Sequence, residues 1–541
     1  MNRVKILLAI VIIAVATLMA ATLLVGSLLD KKITAALNER FNEYHFDIEN
    51  INWSLIPAKL RLNNISITSK ADTAVDNHLN GVIGKVHLKG IKLAKAAFKG
   101  KYEMRDLIIS DIRLEGILPF EENNRAPTAS TLDLYIGNIY FDQVNFDIKD
   151  SASSRTIELK EGALKIADFR LKKRDTLKVI QLSDFSAENL ISVSKDSMYT
   201  FQARQILYSD TLKILSIESI SLLPNYEDYD FTSKVEVETD CIEGEFQKVK
   251  FNQFSAASYY NSNEIKSSYV SIGKLELNVF RDKRKPDSLK EKPVFQHYIY
   301  SYPGFLNIDS IGINDGDITY TEHALNATEP GTVSFNGVNA TIYNISNDTI
   351  YKTREAFIEM KTEALLMGIS KMNVLMKARL FDPANTFSLK GTLAPIKVKD
   401  LNPILEKNAF LNANSATIDQ LSFNLTGNDT KATGELIMLY KGLDINVKDK
   451  EDDDKSGIKE QFLSFLINKG AWDSNPMPSD EVRVGIIDFE RDPTKFVFNY
   501  WIKSILTGVK SSVIKLPDKK KSFLQKIFGG NTEKKDNASK S

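Results

Sequence analysis

The segment Thr131-Leu132-Asp133-Leu134-Tyr135-Ile136 alternates apolar and polar side chains with a period of two. In a β-strand this period places the apolar side chains on one face and the polar side chains on the other. The alternation recurs in Lys59-Leu60-Arg61-Leu62, Lys85-Val86-His87-Leu88-Lys89, Asp111-Ile112-Arg113-Leu114-Glu115 and Phe387-Ser388-Leu389-Lys390-Gly391. Turn signals such as Asn314-Asp315-Gly316-Asp317 separate such segments. The sequence therefore predicts a mainly β chain with a largely antiparallel sheet.

The number of these segments predicts a repetitive, elongated sheet. At roughly 13 to 16 residues per strand and turn, residues 46–448 supply on the order of 25 to 30 strands, or about 120 to 145 Å of sheet. Similar strands with one apolar face are expected to curl around that face as a curved groove. The alternative is a set of closed sandwiches, in which the same alternation builds a core. The candidate groove residues are Leu60, Leu62, Leu88, Leu114, Leu134 and Leu389.

An uncharged apolar run, Ile6 to Leu29, precedes the strands. It exceeds the ~20 helical residues that cross a bilayer, and basic residues flank it at Arg3 and Lys5 and at Lys31 and Lys32. We predict a retained transmembrane helix with the body outside the cytoplasm, because the short N-terminal arm is the easier one to leave inside. A cleaved signal peptide is the alternative.

Short helices are predicted near both ends of the chain. Ile33, Leu37 and Phe41 recur four apart, which predicts a helix that ends near Tyr44 or His45. By composition the chain divides into 1–29 (stub and anchor), 30–45 (short helix), 46–285 and 286–448 (two β-rich regions), 449–495 (charged loop, short helix and strand) and 496–541 (amphipathic basic helix and tail).

The C-terminal helix has two predicted roles. An apolar stripe and separate lysines over 496–514 predict a helix that caps or packs on the sheet. Basic and bulky apolar residues farther on predict binding to a membrane interface. These candidate interface residues are Lys519, Lys520, Lys521, Phe523, Leu524 and Phe528.

Composition and motifs argue against catalysis and against nucleic acid. Seventy basic and seventy acidic residues cancel, so no global field attracts a polyanion. Cys241 is the single cysteine, which excludes an intramolecular disulfide and a thiolate metal cluster. The five histidines are scattered, and neither a metalloprotease helix motif, a serine nucleophile elbow nor a phosphate-binding glycine loop occurs. We predict no catalytic, cofactor-binding or metal-binding residues.

Both ends of the chain resemble the AsmA-like family. At the start the resemblance lies in Ala36-Leu37-Asn38-Glu39-Arg40-Phe41, in the segment from Phe46 to Ser54 and in that from Leu60 to Ile67. Near the other end it lies in Phe387 to Pro395, Leu401 to Leu405 and Ala416 to Phe423. One departure is Asn414-Ser415, where the family pattern has a glycine turn before the next strand.

The resemblance implies a location and a function. It implies a single-pass inner-membrane protein of a Gram-negative-type envelope, with its bulk in the periplasm. Such proteins resemble bridge-like lipid carriers, so we expect lipid binding or conduction in outer-membrane biogenesis or lipid homeostasis, without enzymatic activity. The expected partners are membrane lipids, the inner membrane and an envelope protein at the C-terminal end, and no nucleic acid. The alternative is an envelope scaffold or assembly factor with closed β cores.

Overall fold

The computed structural model describes residues 29–40, 44–70, 78–99, 101–118, 133–150, 155–171, 182–352, 356–409, 411–447, 471–478 and 481–514. The predicted anchor, except for Leu29, lies outside these residues, as do the six candidate interface residues from Lys519 to Phe528. Within the described ranges, the search for a helix long and apolar enough to cross a bilayer finds none.

Strands hold most of the described residues, so the prediction of a mainly β, largely antiparallel chain is confirmed. The strands are β1 Tyr44–Leu55, β2 Ala58–Ser69, β3 His78–Lys89, β4 Lys101–Leu118, β5 Asp133–Asp150, β6 Thr156–Leu171, β7 Leu182–Val193, β8 Tyr199–Ser209, β9 Ile214–Pro224, β10 Asp240–Asn252, β11 Glu264–Ser267, β12 Tyr269–Ile272, β13 Lys274–Asp282, β14 Phe305–Ile313, β15 Gly316–His323, β16 Gly331–Ser346, β17 Phe357–Leu366, β18 Ser370–Arg379, β19 Phe387–Leu393, β20 Ile396–Lys397, β21 Leu411–Gly427, β22 Lys431–Val447 and β23 Val484–Glu490.

The helices are short, with one exception near the C-terminus. They are α1 Leu29–Arg40, α2 Leu93–Lys99, α3 Asp228–Ser233, α4 Ala256–Ser262, α5 Phe295–Tyr300, α6 Asn402–Ile404 and α7 Val497–Val513. Short turns of other helix types occur at Thr349–Lys352, Val398–Leu401 and Leu405–Ala409.

The predicted end of the first helix falls at the start of the first strand. α1 is described as far as Arg40, and the predicted endpoints Tyr44 and His45 are the first residues of β1. The Asn38 side chain joins the helix to the strand, because its amide donates to the Phe46 carbonyl and its oxygen accepts from the Phe46 N–H. Tyr44 itself pairs with Ser69 of β2.

The chain forms two compact units. Unit 1 contains Met1–Arg281, Ile299–Ile318 and Asn339–Tyr351, and unit 2 contains Asp282–Tyr298, Thr319–Val338 and Lys352–Ser541. In unit 1, β1 to β10 pair in chain order. These pairs are antiparallel apart from the parallel pair of β4 and β5, and β10 then pairs with β12 and β13.

The strands of unit 1 depart from strict alternation at one shared feature, which we call the two-residue step. Two consecutive residues on the polar face separate two apolar residues, as in Leu62-Asn63-Asn64-Ile65 and Ile109-Ser110-Asp111-Ile112. The step recurs at 48–51, 83–86, 141–144, 159–162, 187–190, 203–206, 217–220, 246–249, 272–275, 308–311 and 342–345.

The two-residue step bends the sheet of unit 1 around its apolar face. Several steps contain a residue with positive φ, including Asn64 at 53°, Asp111 at 59° and Gln143 at 52°, which interrupts the extended backbone. At each step two consecutive residues face the polar side of the sheet and none faces the apolar side. The backbone is therefore longer on the polar side, and we expect the strand to bend toward the apolar side. Neighbouring strands share the step, so pairing resumes in register beyond it, as in Ile48 with Ile65 and Ile51 with Leu62.

Unit 2 contains antiparallel strand pairs with α7 packed on them. Its strands pair in the order β17, β18, β19, β21, β22 and β23, and β20 pairs with β21. Gly508 of α7 permits the close approach, because a Cβ at this position would lie 2.8 Å from Ile487 and 2.9 Å from Leu436. Asn414-Ser415 lies inside β21 rather than in a turn, and the register of β21 shifts at Ser415.

Substitutions at Gln143 test whether its positive φ is required at the two-residue step of β5. Replacing Gln143 with Val is expected to lower the free energy of unfolding by on the order of 1 kcal/mol, since a β-branched residue tolerates positive φ poorly. Replacing it with Gly should cost much less. The control is Asp147→Val, an exposed position of the same strand outside the step, where Val suits a strand. Urea unfolding measures all three, and equal effects of Val and Gly at 143 would contradict the role assigned to the step.

Candidate functional site

Two rows of apolar side chains cross the strands of unit 1 on the concave face. In each row every residue is directly paired with the next one on the neighbouring strand, from β1 through β10 and on to β13 or β12. The first row is Phe46, Ile67, Gly81, Leu114, Phe146, Leu159, Leu190, Ala203, Ile220, Phe246 and Leu275. The second row is Ile51, Leu62, Val86, Ile109, Phe141, Leu164, Phe185, Tyr208, Leu215, Phe251 and Val270.

Five of the six predicted groove residues lie in one closed core. Leu60, Leu62, Leu88, Leu114 and Leu134 share this core with Ile33 and Leu37 of α1. Their exposed fractions lie between 0% and 7%. These leucines therefore lie under α1 and neighbouring side chains, and the more accessible part of the apolar face must be sought farther along the sheet.

The closed core also contains the apolar residues of a second two-residue step. This step lies at 104–107 in β4, 136–139 in β5 and 166–169 in β6, and Asp168 has a φ of 50° within it. Met104 pairs with Ile136, and Leu107 pairs with Ile139, so the second step crosses β4 and β5 in register. The apolar residues on both sides of the second step are buried in the same core as Ile33 and Leu37 of α1.

From β5 onward many side chains of the two rows are only half-buried. Phe146, Leu190, Ile220 and Phe246 of the first row belong to this set, and so do Leu164, Phe185, Leu215 and Phe251 of the second row. We call these eight residues the half-buried stretch. Five of them pack against a small buried cluster of Leu159, Ala187, Ala203 and Ile206, so the stretch combines a local core with partial exposure.

The segment that follows β10 returns to the second row. The Phe254 ring lies 6.0 Å from the Tyr208 ring and 5.8 Å from the Phe251 ring, measured between centroids. The Phe254 N–H donates to the Lys213 carbonyl, which holds the segment in place. Tyr260 of α4 packs against the closed core. The α4 segment thus covers part of the apolar face and leaves the half-buried stretch beside it.

The sixth predicted groove residue, Leu389, belongs to the core of unit 2. It lies in β19, between Met376 of β18 and Leu425 of β21, and all three side chains are buried. Burial at Leu389 is 97%. Leu389 is therefore a core position of a different unit from the other five leucines.

The C-terminal helix α7 packs on the sheet, as predicted, but the residues that it buries are mostly not those of the predicted apolar stripe. α7 buries Tyr500, Trp501, Ser504, Gly508 and Ser512, since small side chains let its backbone approach β22 and β23. Of the predicted stripe Ile505, Leu506, Val509, Val513 and Ile514, the last two are buried and Leu506 is exposed. The exposed face of α7 instead presents Phe498, Ile502 and Leu506, which follow one another at intervals of four.

Titratable groups in the described part of the chain do not form a catalytic cluster that we can recognise. His323 is buried and contacts the Ala327 carbonyl at 2.8 Å, and His87 lies beside Arg61. In the same part of the chain, no group of three His, Cys, Asp or Glu side chains is arranged to hold a metal ion. Burial raises the pKa of the Cys241 thiol to about 12, so this thiol stays protonated and unreactive at neutral pH.

Comparisons with known proteins return no relative: no protein-family model matches the chain, and no curated protein matches it. The resemblance to the AsmA-like family therefore stays an interpretation of the residues quoted above.

The sequence contains a signal for the half-buried stretch that strict alternation misses. Counting apolar residues at intervals of two skips each two-residue step, so the segments appear shorter than the strands they form. If apolar residues are allowed to recur at intervals of either two or three, the short segments join into whole strands, as in Phe141-Asp142-Gln143-Val144 within β5. Such a count would have aligned Leu190, Ile220 and Phe246 across their strands.

Leu88 tests the assignment of the closed core. Leu88→Ala is expected to lower the free energy of unfolding by about 2 to 5 kcal/mol, because it leaves a cavity in a close-packed site. Leu212, in the turn before β9, is 65% exposed, and Leu212→Ala should change stability by less than about 0.5 kcal/mol. Chemical denaturation measures both variants, and a small effect at Leu88 would show that this region is open.

Proposed function

We propose that this protein is a membrane-anchored, non-enzymatic carrier of lipids in a bacterial envelope. Acyl chains would bind along the concave apolar face of unit 1, and headgroups would remain in water. The observation that carries the proposal is the pair of apolar rows, which cross the strands from β1 to β13 while the opposite face stays polar.

The rows suit a long, flexible apolar ligand. Each buried CH₂ contributes about 0.8 kcal/mol, so an acyl chain gains affinity over its length without any specific contact. The half-buried stretch combines aliphatic side chains with the rings of Phe146, Phe185, Phe246 and Phe251. Partly exposed apolar side chains lose further contact with water when an apolar ligand packs on them, which favours binding.

The location of the protein in the envelope rests on sequence. The apolar run Ile6 to Leu29 is long enough for an anchor, and α1 follows it directly. We propose a single pass through the inner membrane with the β units in the periplasm, in line with the resemblance to AsmA-like proteins. Lipid transport in outer-membrane biogenesis or lipid homeostasis is the role that this arrangement would serve.

One observation favours the alternative function of an envelope scaffold. The exposed face of α7 presents Phe498, Ile502 and Leu506, each more than half exposed, and such a stripe is typical of a helix that meets a protein partner. The burial of all six predicted groove leucines also fits closed β cores. A scaffold would bind its partner through α7 and would carry no lipid in unit 1.

Site-specific crosslinking distinguishes the two functions. A benzophenone amino acid at position 246 should form a covalent adduct with acyl lipid in cells, because Phe246 lies in the half-buried stretch. The same group at Gln247, which follows on the polar face of β10, is the matched control and should give little adduct. Mass spectrometry of the purified full-length chain detects the adducts, and equal or absent lipid adducts at the two positions would reject the carrier in favour of the scaffold.

A charge in the half-buried stretch should displace lipid. Phe246→Glu places an unpaired carboxylate on the apolar face, whose burial against an acyl chain is costly. We expect co-purifying lipid to fall several-fold, whereas Gln247→Glu should leave it unchanged. Circular dichroism and urea unfolding verify that both variants are folded. Unchanged lipid content in folded Phe246→Glu protein would show that lipid binds elsewhere.

A further inference from the structure

Two bulky apolar side chains project into solvent at one end of the first strands of unit 1. Ile56, in the turn between β1 and β2, is 93% exposed, and Phe98, in α2, is 87% exposed. The backbone joins their segments, because the Ile91 N–H donates to the Ala58 carbonyl at 3.4 Å. We call residues 55–61 and 87–101 together the strand-end corner.

The strand-end corner is rich in cations. Lys59 of β2 lies directly opposite Lys89 of β3, an unfavourable like-charge pair, and on its other side Lys89 lies opposite Asp106 of β4. The neighbouring pair is Arg61 with His87. Burial, together with the charges of Lys89, Arg61 and Lys59, lowers the pKa of His87 below its usual value.

Further lysines surround α2. Lys92, Lys99 and Lys101 are exposed, and they lie beside Phe98 in the sequence. Glu103 holds Lys92 and Lys95 at 3.1 and 2.6 Å, so one carboxylate serves two ammonium groups. The corner therefore keeps an excess of positive charge around its two exposed apolar side chains.

The strand-end corner adjoins the core that contains α1, the first described helix of the chain. Lys59 and Lys89 are next to Leu60 and Leu88, which share the closed core with Ile33 and Leu37 of α1. α1 begins at Leu29, the last residue of the apolar run. On the proposed function, which this inference deepens, a bilayer surface would lie near this end of unit 1.

We propose that the strand-end corner docks on an anionic lipid surface, with Ile56 and Phe98 inserted among the headgroups and the lysines facing lipid phosphates. Bulky apolar side chains at exposed tips and a surrounding set of lysines are the features that bind such a surface. The docking would hold the end of the unit 1 apolar face next to the bilayer, so that an acyl chain passes between them with little contact with water.

The single native cysteine permits a direct test in the full-length chain. Cys241 is 3% exposed and its pKa is about 12, so a maleimide fluorophore should label an introduced cysteine selectively. Phe98→Cys and Ile56→Cys are labelled with an environment-sensitive dye. The labelled chains are reconstituted into nanodiscs of phosphatidylcholine with or without phosphatidylglycerol, which contain spin-labelled lipid as a quencher.

The control position lies on β3, the strand that ends at the strand-end corner. Val82→Cys is exposed on β3, about 23 Å along the strand from Lys89. We expect strong quenching at positions 98 and 56 in anionic nanodiscs and weak quenching at 82. Removing two charges with Lys99→Gln and Lys101→Gln should reduce the quenching at 98 several-fold, or raise the anionic lipid content needed for it.

Two results would overturn the docking. One is quenching at 98 and 56 no stronger than at 82, and the other is quenching that does not depend on phosphatidylglycerol. Neither bears on lipid adducts at position 246, so failure of the docking and failure of the carrier function are separate outcomes.

Discussion

The two-residue step shared by neighbouring strands is the constraint on which unit 1 depends. A bulge in one strand alone shifts its pairing by one residue and would move every later side chain to the other face. In unit 1 most neighbouring strands have the step at matching positions, so apolar residues stay opposite apolar residues on both sides of it. Between β5 and β6 the steps are offset, and the register shifts on either side of Val144. Most strand pairs of unit 1 thus bend at the step while their apolar residues stay on one face.

Burial of the apolar face differs along unit 1. Leu62 of β2 and Leu88 of β3 are fully buried in the core that also contains Ile33 and Leu37 of α1. Phe185 of β7 and Phe246 of β10 are only half-buried. One strand pattern thus produces a fully buried core in β2 and β3 and a less buried apolar face in β7 and β10.

Sequence predicted the strand content and the polarity of each face well, because a period of two is a local property of side-chain order. It did not predict which leucines would be covered, since the burial of Leu62 depends on residues distant in sequence, including Ile33 and Leu37 of α1. α7 shows the same limit. The predicted stripe includes the exposed Leu506 and misses Ser504, Gly508 and Ser512, whose small side chains let two backbones approach, and hydrophobicity does not measure that.

The start of β1 shows a related limit, because Tyr44 and His45, where the helix was predicted to end, pair with Ser69 and Thr68 of β2. The apolar spacing of α1 predicted the helix and its buried face at Ile33 and Leu37, but spacing contains no information about the strand partner. The anchor and the basic tail lie outside the described residues, so their assignment depends on sequence alone.

The spacing of apolar residues around the step bears on the choice between a closed core and a surface that binds a ligand. A closed core needs only complementary volumes, and its layers are free to differ from strand to strand. In unit 1 an apolar residue lies on each side of a polar step in β8, β9 and β10. The residues of the first row nevertheless differ in size, since this row contains Gly81, Ala203 and Phe246. The step thus keeps apolar residues side by side across the strands, whereas the depth of the face changes along each row. Such a face would suit the flexible apolar chain proposed above better than a rigid ligand, because a flexible chain adjusts to positions of unequal depth.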